Sequence, residues 1–131
     1  MTAEQIVRAV MDRWQRGIDA HDPDAVAAVF TEDAVFQGLR PHSVGRAGVA
    51  AYYDSQPAGM TVTYRVLESR LLSADVVTGY LTATFAYVAR PAVELRIGVV
   101  LTRQGDGWLL AQYQASAGIT SRSNSSIPER S

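Results

Sequence analysis

The chain has 131 residues, 47% of them hydrophobic, which suits one domain with its own core and is too short for two. The formal net charge is −1 and the 12 basic residues are dispersed, so nothing indicates binding to nucleic acid or to an anionic membrane. No apolar run approaches the roughly 20 residues that cross a bilayer, so we expect a cytoplasmic protein.

The residue types that are missing exclude several chemistries. Cysteine and lysine are both absent, which excludes disulfides, thiolate metal sites, a cysteine nucleophile and a Schiff base. The two histidines and the carboxylates do not show metal-ligand spacing, and no glycine-rich phosphate or dinucleotide loop is present. We therefore expect neither a metal nor a cofactor.

The N-terminal half carries helical patterns. Thr2 and Gln5 are spaced as a capping box, and apolar residues follow at the spacing of one helical stripe. Asp22 and Pro23 are suited to begin a second helix. The predicted elements are a helix over 3–21, a short helix to about Phe30, a brief strand over 33–36, a loop over 38–45 and a third helix ending before Pro57.

The C-terminal half changes to long runs rich in Val, Thr and Tyr that are separated by turn sequences. Short connections make neighbouring strands antiparallel, and helices followed by consecutive strands indicate an α+β domain over 1–120. The tail over 121–131 is polar and predicts no packed structure. The predicted strands are about 60–72, 75–88, 93–103 and 108–117.

The last two strands indicate where a pocket should lie. A regular hairpin places Ile97, Val99 and Leu101 on one sheet face with Trp108, Leu110, Gln112 and Gln114. Gln112 would then bind a ligand and Gln114 would orient or help convert it, although both are equally consistent with solvent-facing strand residues. The opposite face, which carries Gly98, Val100, Ala111 and Tyr113, is apolar enough to predict a homodimer interface, with an exterior of merely mixed polarity as the alternative. Arg96 lies on that face unless a bulge exchanges the faces.

Aromatic residues and one histidine complete the predicted site. Aromatic side chains can bind an apolar ligand while a tyrosine hydroxyl orients it, which suits a flat or polyene molecule, although each alone could be ordinary core. His42, in the loop before the third helix, is the candidate catalytic base, with a solvated loop residue as the alternative. The predicted ligand-binding aromatic residues are Trp14, Phe36, Tyr53, Tyr64 and Tyr80.

The combined pattern resembles a known superfamily. Four segments together resemble the SnoaL-like, nuclear-transport-factor-2-like superfamily, and within it the SgcJ/EcaC group. These segments are residues 17–24 after Trp14, residues 29–36, residues 45–49 and Gly107-Trp108. The resemblance implies a cone-shaped fold, in which three N-terminal helices pack on a strongly curved, mostly antiparallel sheet that encloses an apolar pocket. It also implies a role in enediyne or other polyketide biosynthesis.

The chain departs from the ketosteroid isomerases of that superfamily. Their general-base aspartate falls at Gly38, and their oxyanion-binding tyrosine falls at Trp14, whose indole donates a hydrogen bond without useful acidity. Their second acidic donor falls near Ile97 and Val99. We therefore expect a small-molecule pocket protein that binds, and in one version cyclises or matures, a polyketide intermediate. The alternative is a non-catalytic binding or dimerisation partner of a biosynthetic enzyme.

Overall fold

A computed structural model describes residues 1–117 and confirms the predicted α+β class. The predicted tail over 121–131 lies outside the described residues. Within the described part, no helix is long and apolar enough to cross a membrane. The elements are α1 (Ala3–Asp19), α2 (Pro23–Ala27), β1 (Phe30–Gln37), β2 (Ser43–Val44), α3 (Arg46–Asp54), β3 (Thr61–Ser73), β4 (Val76–Ala86), β5 (Val93–Gln104) and β6 (Gly107–Ala117).

Local sequence explains where the helices begin and end. Thr2 and Gln5 form the predicted capping box, in which the Gln5 amide donates to the Thr2 hydroxyl at 3.1 Å. The Asp22 carboxylate accepts from the Ala25 amide at 3.1 Å and begins α2. α1 ends at Asp19, two residues earlier than predicted, because His21 takes a left-handed φ of 49° that a helix cannot include.

The six strands form one mostly antiparallel sheet in the order β2-β1-β6-β5-β4-β3. β3 to β6 follow the predicted strands as an antiparallel meander. β1 is longer than predicted, and its single parallel partner is β6. β2 was predicted as loop, because two residues against Val35 and Phe36 are too few to show a strand pattern in sequence.

The sheet curves around α1, and we call the side that faces the helices the inner face. The inner face is buried and apolar, and Phe36, Leu81, Ile97 and Tyr113 lie on it. α1 packs across β3 and β4 through its apolar stripe, in which Trp14 is fully buried. We call the opposite side the outer face.

The prediction of which sheet face each β6 side chain occupies is wrong, because β6 contains a bulge. Val100 pairs with Gln112 and Leu101 pairs with Leu110, so Ala111 is an extra residue between two ladder positions. Leu110 keeps its predicted inner position, but every later side chain of β6 changes face. Tyr113 therefore faces inward, and Gln112 and Gln114 are exposed on the outer face. Because the bulge is in β6 and not in β5, Arg96 remains on the outer face.

Candidate functional site

A cavity of about 450 Å³ opens at one end of the sheet, within the range of small-molecule pockets. Strand register explains its position: Gln37 at the end of β1 pairs with Gln114, and Gln114 pairs with Gly98 in the middle of β5, so the first half of β5 extends beyond the end of β1. The β1–β2 loop, the β4–β5 turn and the segment after α3 therefore meet at this end. The lining residues are Leu39, Arg40, Tyr52, Tyr53, Gln56, Met60, Phe85, Tyr87, Arg90, Pro91, Ala92, Val93, Leu95 and Tyr113.

Hydrogen bonds connect the core to the cavity wall. The buried Trp14 indole N–H donates to the Tyr53 hydroxyl at 3.1 Å, and the Tyr53 hydroxyl interacts with that of Tyr113. Behind this wall, the Phe36 ring stacks on Tyr113 with centroids 4.9 Å apart and packs on Tyr53 at 5.6 Å. The two cavity tyrosines are therefore held in fixed orientations by packing on several sides.

The protonation of these tyrosines limits the chemistry of the cavity. Burial raises the pKa of Tyr53 above its ordinary value, and burial together with the neighbouring Tyr53 raises the pKa of Tyr113. Both hydroxyls keep their protons at neutral pH, so they can donate hydrogen bonds and cannot act as bases. Within residues 1–117, the side chains that line the cavity include no aspartate, glutamate or histidine.

Gly38, the position at which the resemblance places the isomerase base, has no room for a side chain. A Cβ atom at Gly38 would lie 2.4 Å from Cζ and 2.5 Å from the hydroxyl of Tyr52. Tyr52 is held there by edge contact with Phe36, and its hydroxyl accepts from the Leu39 amide at 3.3 Å. The ring occupies the space that an aspartate side chain would need.

The structure brings together three of the five predicted aromatic residues. Tyr53 lines the cavity, while Trp14 and Phe36 support its wall from the core. Tyr64 contacts Trp14 at its edge, but its hydroxyl donates to the Asp12 carboxylate away from the cavity. Tyr80 pairs with Gly98 on the outer face and is 42% exposed.

The predicted polar residues lie elsewhere. Gln112 and Gln114 are exposed on the outer face because of the Ala111 bulge. His42 is exposed in the β1–β2 loop and is not among the lining residues. No group of histidine and carboxylate side chains that could hold a metal occurs within residues 1–117.

Sequence reasoning missed several lining residues. Tyr113 was placed on the outer face because a bulge cannot be recognised from strand alternation alone. Tyr87, Arg90 and Arg40 were missed because they belong to loops, and no periodicity relates one loop to another. The turn sequence Arg90-Pro91 was recognised, but only as a boundary between strands.

A family model described as a SnoaL-like domain matches residues 7–120. The chain belongs to the SnoaL-like domain family. No curated protein matches this SnoaL-like domain.

Solved structures show the same fold at low sequence identity. A domain of unknown function with a cystatin-like fold from Nostoc punctiforme has a TM-score of 0.79 at 18% identity, covering 90% of this chain and 78% of that one. A ketosteroid isomerase-like protein from Erwinia carotovora atroseptica has a TM-score of 0.74 at 24% identity, covering 86% and 94%. An NTF-2 like protein of unknown function from Shewanella oneidensis has a TM-score of 0.75 at 12% identity, covering 87% and 98%. These likenesses concern the fold alone.

Proposed function

We propose that this SnoaL-like domain binds a flat, apolar small molecule of the polyketide or enediyne type, and that it holds the ligand without acid–base chemistry of its own. One observation carries the proposal: the cavity has aromatic walls and, within residues 1–117, no carboxylate or imidazole among its lining side chains. A cyclase needs such a group within hydrogen-bonding reach of the proton that it removes.

The shape and polarity of the cavity support a flat ligand. Tyr52, Tyr53, Phe85, Tyr87 and Tyr113 supply rings, against which a planar molecule buries much apolar area. The phenol groups of Tyr53 and Tyr113 stay protonated, so they suit the carbonyl and quinone oxygens of an oxidised polyketide. At the entrance, Leu39 is 59% exposed, an apolar surface that a ligand would cover.

Fluorescence of Trp14 can test the binding. In a Trp108→Phe background, Trp14 is the remaining tryptophan, and its indole N–H donates a hydrogen bond to Tyr53 of the cavity wall. We expect 1,8-dihydroxyanthraquinone to quench it saturably, with one site per chain.

Ala92→Phe should block the entrance and weaken binding by at least about tenfold, as loss of well-packed contacts does. Ala89→Phe, in the same turn and outside the lining, is the matched control. Absence of saturable quenching, or equal weakening by both variants, would contradict the proposal.

The enzymatic alternative makes a different prediction for the same complex. Under the binding proposal, mass spectrometry of the recovered ligand shows no chemical change, and His42→Ala and Gln114→Ala leave the affinity within about twofold because neither side chain lines the cavity. A new product formed by the unmodified protein and lost in His42→Ala would replace the binding proposal with a cyclase.

We further propose that the outer face forms a homodimer interface. Val35 is 37% and Val44 is 64% exposed there, and the half-buried Val100 lies nearby across the sheet. On the same face, four residues before Val100 along β5, the Nε atom of Arg96 is buried without a hydrogen-bond partner among the described residues. A second copy would cover the valines and could supply an acceptor for Arg96.

Light scattering after gel filtration tests the dimer. We expect twice the chain mass for the unmodified protein and the monomer mass for Val100→Glu, because a charge in an apolar interface is left desolvated and unpaired. Val88→Glu is the control, since Val88 is 83% exposed in the β4–β5 turn and not on the outer face. A monomeric unmodified protein, or a Val100→Glu variant that remains dimeric, would exclude this interface.

A further inference from the structure

Two arginines stand at the cavity entrance without a carboxylate beside them. Arg40 comes from the β1–β2 loop and Arg90 from the β4–β5 turn, and both line the cavity. The ion pairs found within residues 1–117 join Arg8 to Glu4 and Arg103 to Asp75, so neither entrance arginine is neutralised by the described residues.

Local contacts hold this part of the entrance in place. The Arg90 guanidinium carbon lies 4.2 Å from the centre of the Tyr87 ring, a cation–π contact that orients the group and leaves its charge unpaired. The loop that carries Arg40 is fixed one residue earlier, where the Leu39 amide donates to the Tyr52 hydroxyl. The cavity therefore combines an apolar aromatic interior with a cationic entrance.

From this arrangement we infer that the ligand carries a carboxylate at one end of its flat apolar body, with the body in the cavity and the carboxylate between Arg40 and Arg90. The inference rests on the proposed binding function and specifies its ligand class. A guanidinium presents a planar set of N–H donors that matches a carboxylate, and charge-assisted hydrogen bonds are about twice as strong as neutral ones. Gln56 also lines the cavity. It is polar but uncharged, as the tyrosines are, so it does not repel an anion.

A matched pair of probes tests the inference: anthraquinone-2-carboxylate and the neutral anthraquinone-2-carboxamide, which have the same ring system and nearly the same size. In low salt we expect the carboxylate to bind at least about tenfold more tightly. The preference should shrink as salt is added, because the arginines are exposed to solvent. In an Arg40→Met/Arg90→Met variant the ratio of the two affinities should fall below about twofold, whichever way the carboxamide affinity itself moves.

The control variant, Arg16→Met/Arg65→Met, removes the same charge from exposed positions on α1 and β3 and should keep the preference. Equal binding of the two probes by the unmodified protein would overturn the inference and leave the proposed function standing. So would a preference that survives in the Arg40→Met/Arg90→Met variant. If neither probe binds, the proposed function itself fails, and the carboxylate assignment fails with it.

Discussion

Replacing Trp14 with alanine is expected to lower the free energy of unfolding by about 3–5 kcal/mol, the range for truncating a large buried aromatic side chain. Trp14 is fully buried, and its ring centroid lies 6.0 Å from those of both Phe85 and Tyr113. The loss has two parts, a void between α1 and the sheet and the loss of the indole hydrogen bond to the buried Tyr53 hydroxyl.

Urea denaturation of two further variants separates these parts. Trp14→Phe retains most of the ring but removes the N–H donor, so we expect it to cost about 1–3 kcal/mol. Trp108→Ala is the control, because Trp108 is only half-buried, and the contact of its ring with the Arg103 guanidinium at 5.1 Å is worth about 1 kcal/mol or less. A cost for Trp14→Ala no larger than that for Trp108→Ala would contradict the packing described for the cavity wall.

Introducing the isomerase base is expected to fail. Gly38→Asp places a side chain where the Tyr52 ring lies, so the ring must leave its contacts with Phe36 and Tyr53, at a cost of about 1–3 kcal/mol for overpacking. Gly38 is also buried, so the new carboxylate loses hydration and adds to that cost. We expect Gly38→Asp to be less stable than Gly38→Ala and to show no steroid isomerase activity.

A double-mutant cycle identifies the cause of the Gly38 effect. In a Tyr52→Ala background the obstructing ring is absent, so Gly38→Ala should cost less than about 0.5 kcal/mol, and the two substitutions should couple strongly. Urea midpoints of the four proteins provide the measurement. Additive effects of the two substitutions would show that the steric conflict with Tyr52 is not what requires glycine at this position.

The fold was predictable because its signals are periodic and local. The apolar stripe on α1, the Asp22-Pro23 helix start and the turns between β3 and β6 each depend on neighbouring residues, and the structure confirms all of them. The parallel pairing of β1 with β6 was not predicted, because it joins distant segments with no turn between them to set the register.

The candidate site was less predictable for a related reason. The wall formed by Tyr53 with Trp14 and Phe36 behind it follows from helix and strand faces that the sequence shows. The position of Tyr113 depends on a single extra residue, Ala111, which has no distinctive side chain. The alternation of side chains along a strand predicts which sheet face each one occupies only while the strand pairing is regular. One bulge was therefore enough to place Gln112 and Gln114 on the outer face.

The parallel pairing of β1 with β6 also constrains the order in which the protein can fold. During synthesis, α1, α2 and β1 are complete long before β6 emerges, yet the Phe36 ring stacks on Tyr113 only in the finished sheet. Until then β1 lacks its long-range partner, and the side of the Phe36 ring that Tyr113 covers in the finished sheet is open. The cavity wall is thus among the last parts to assemble, and a nascent chain halted before β6 would display unpaired strand edges to chaperones, proteases or other copies of itself.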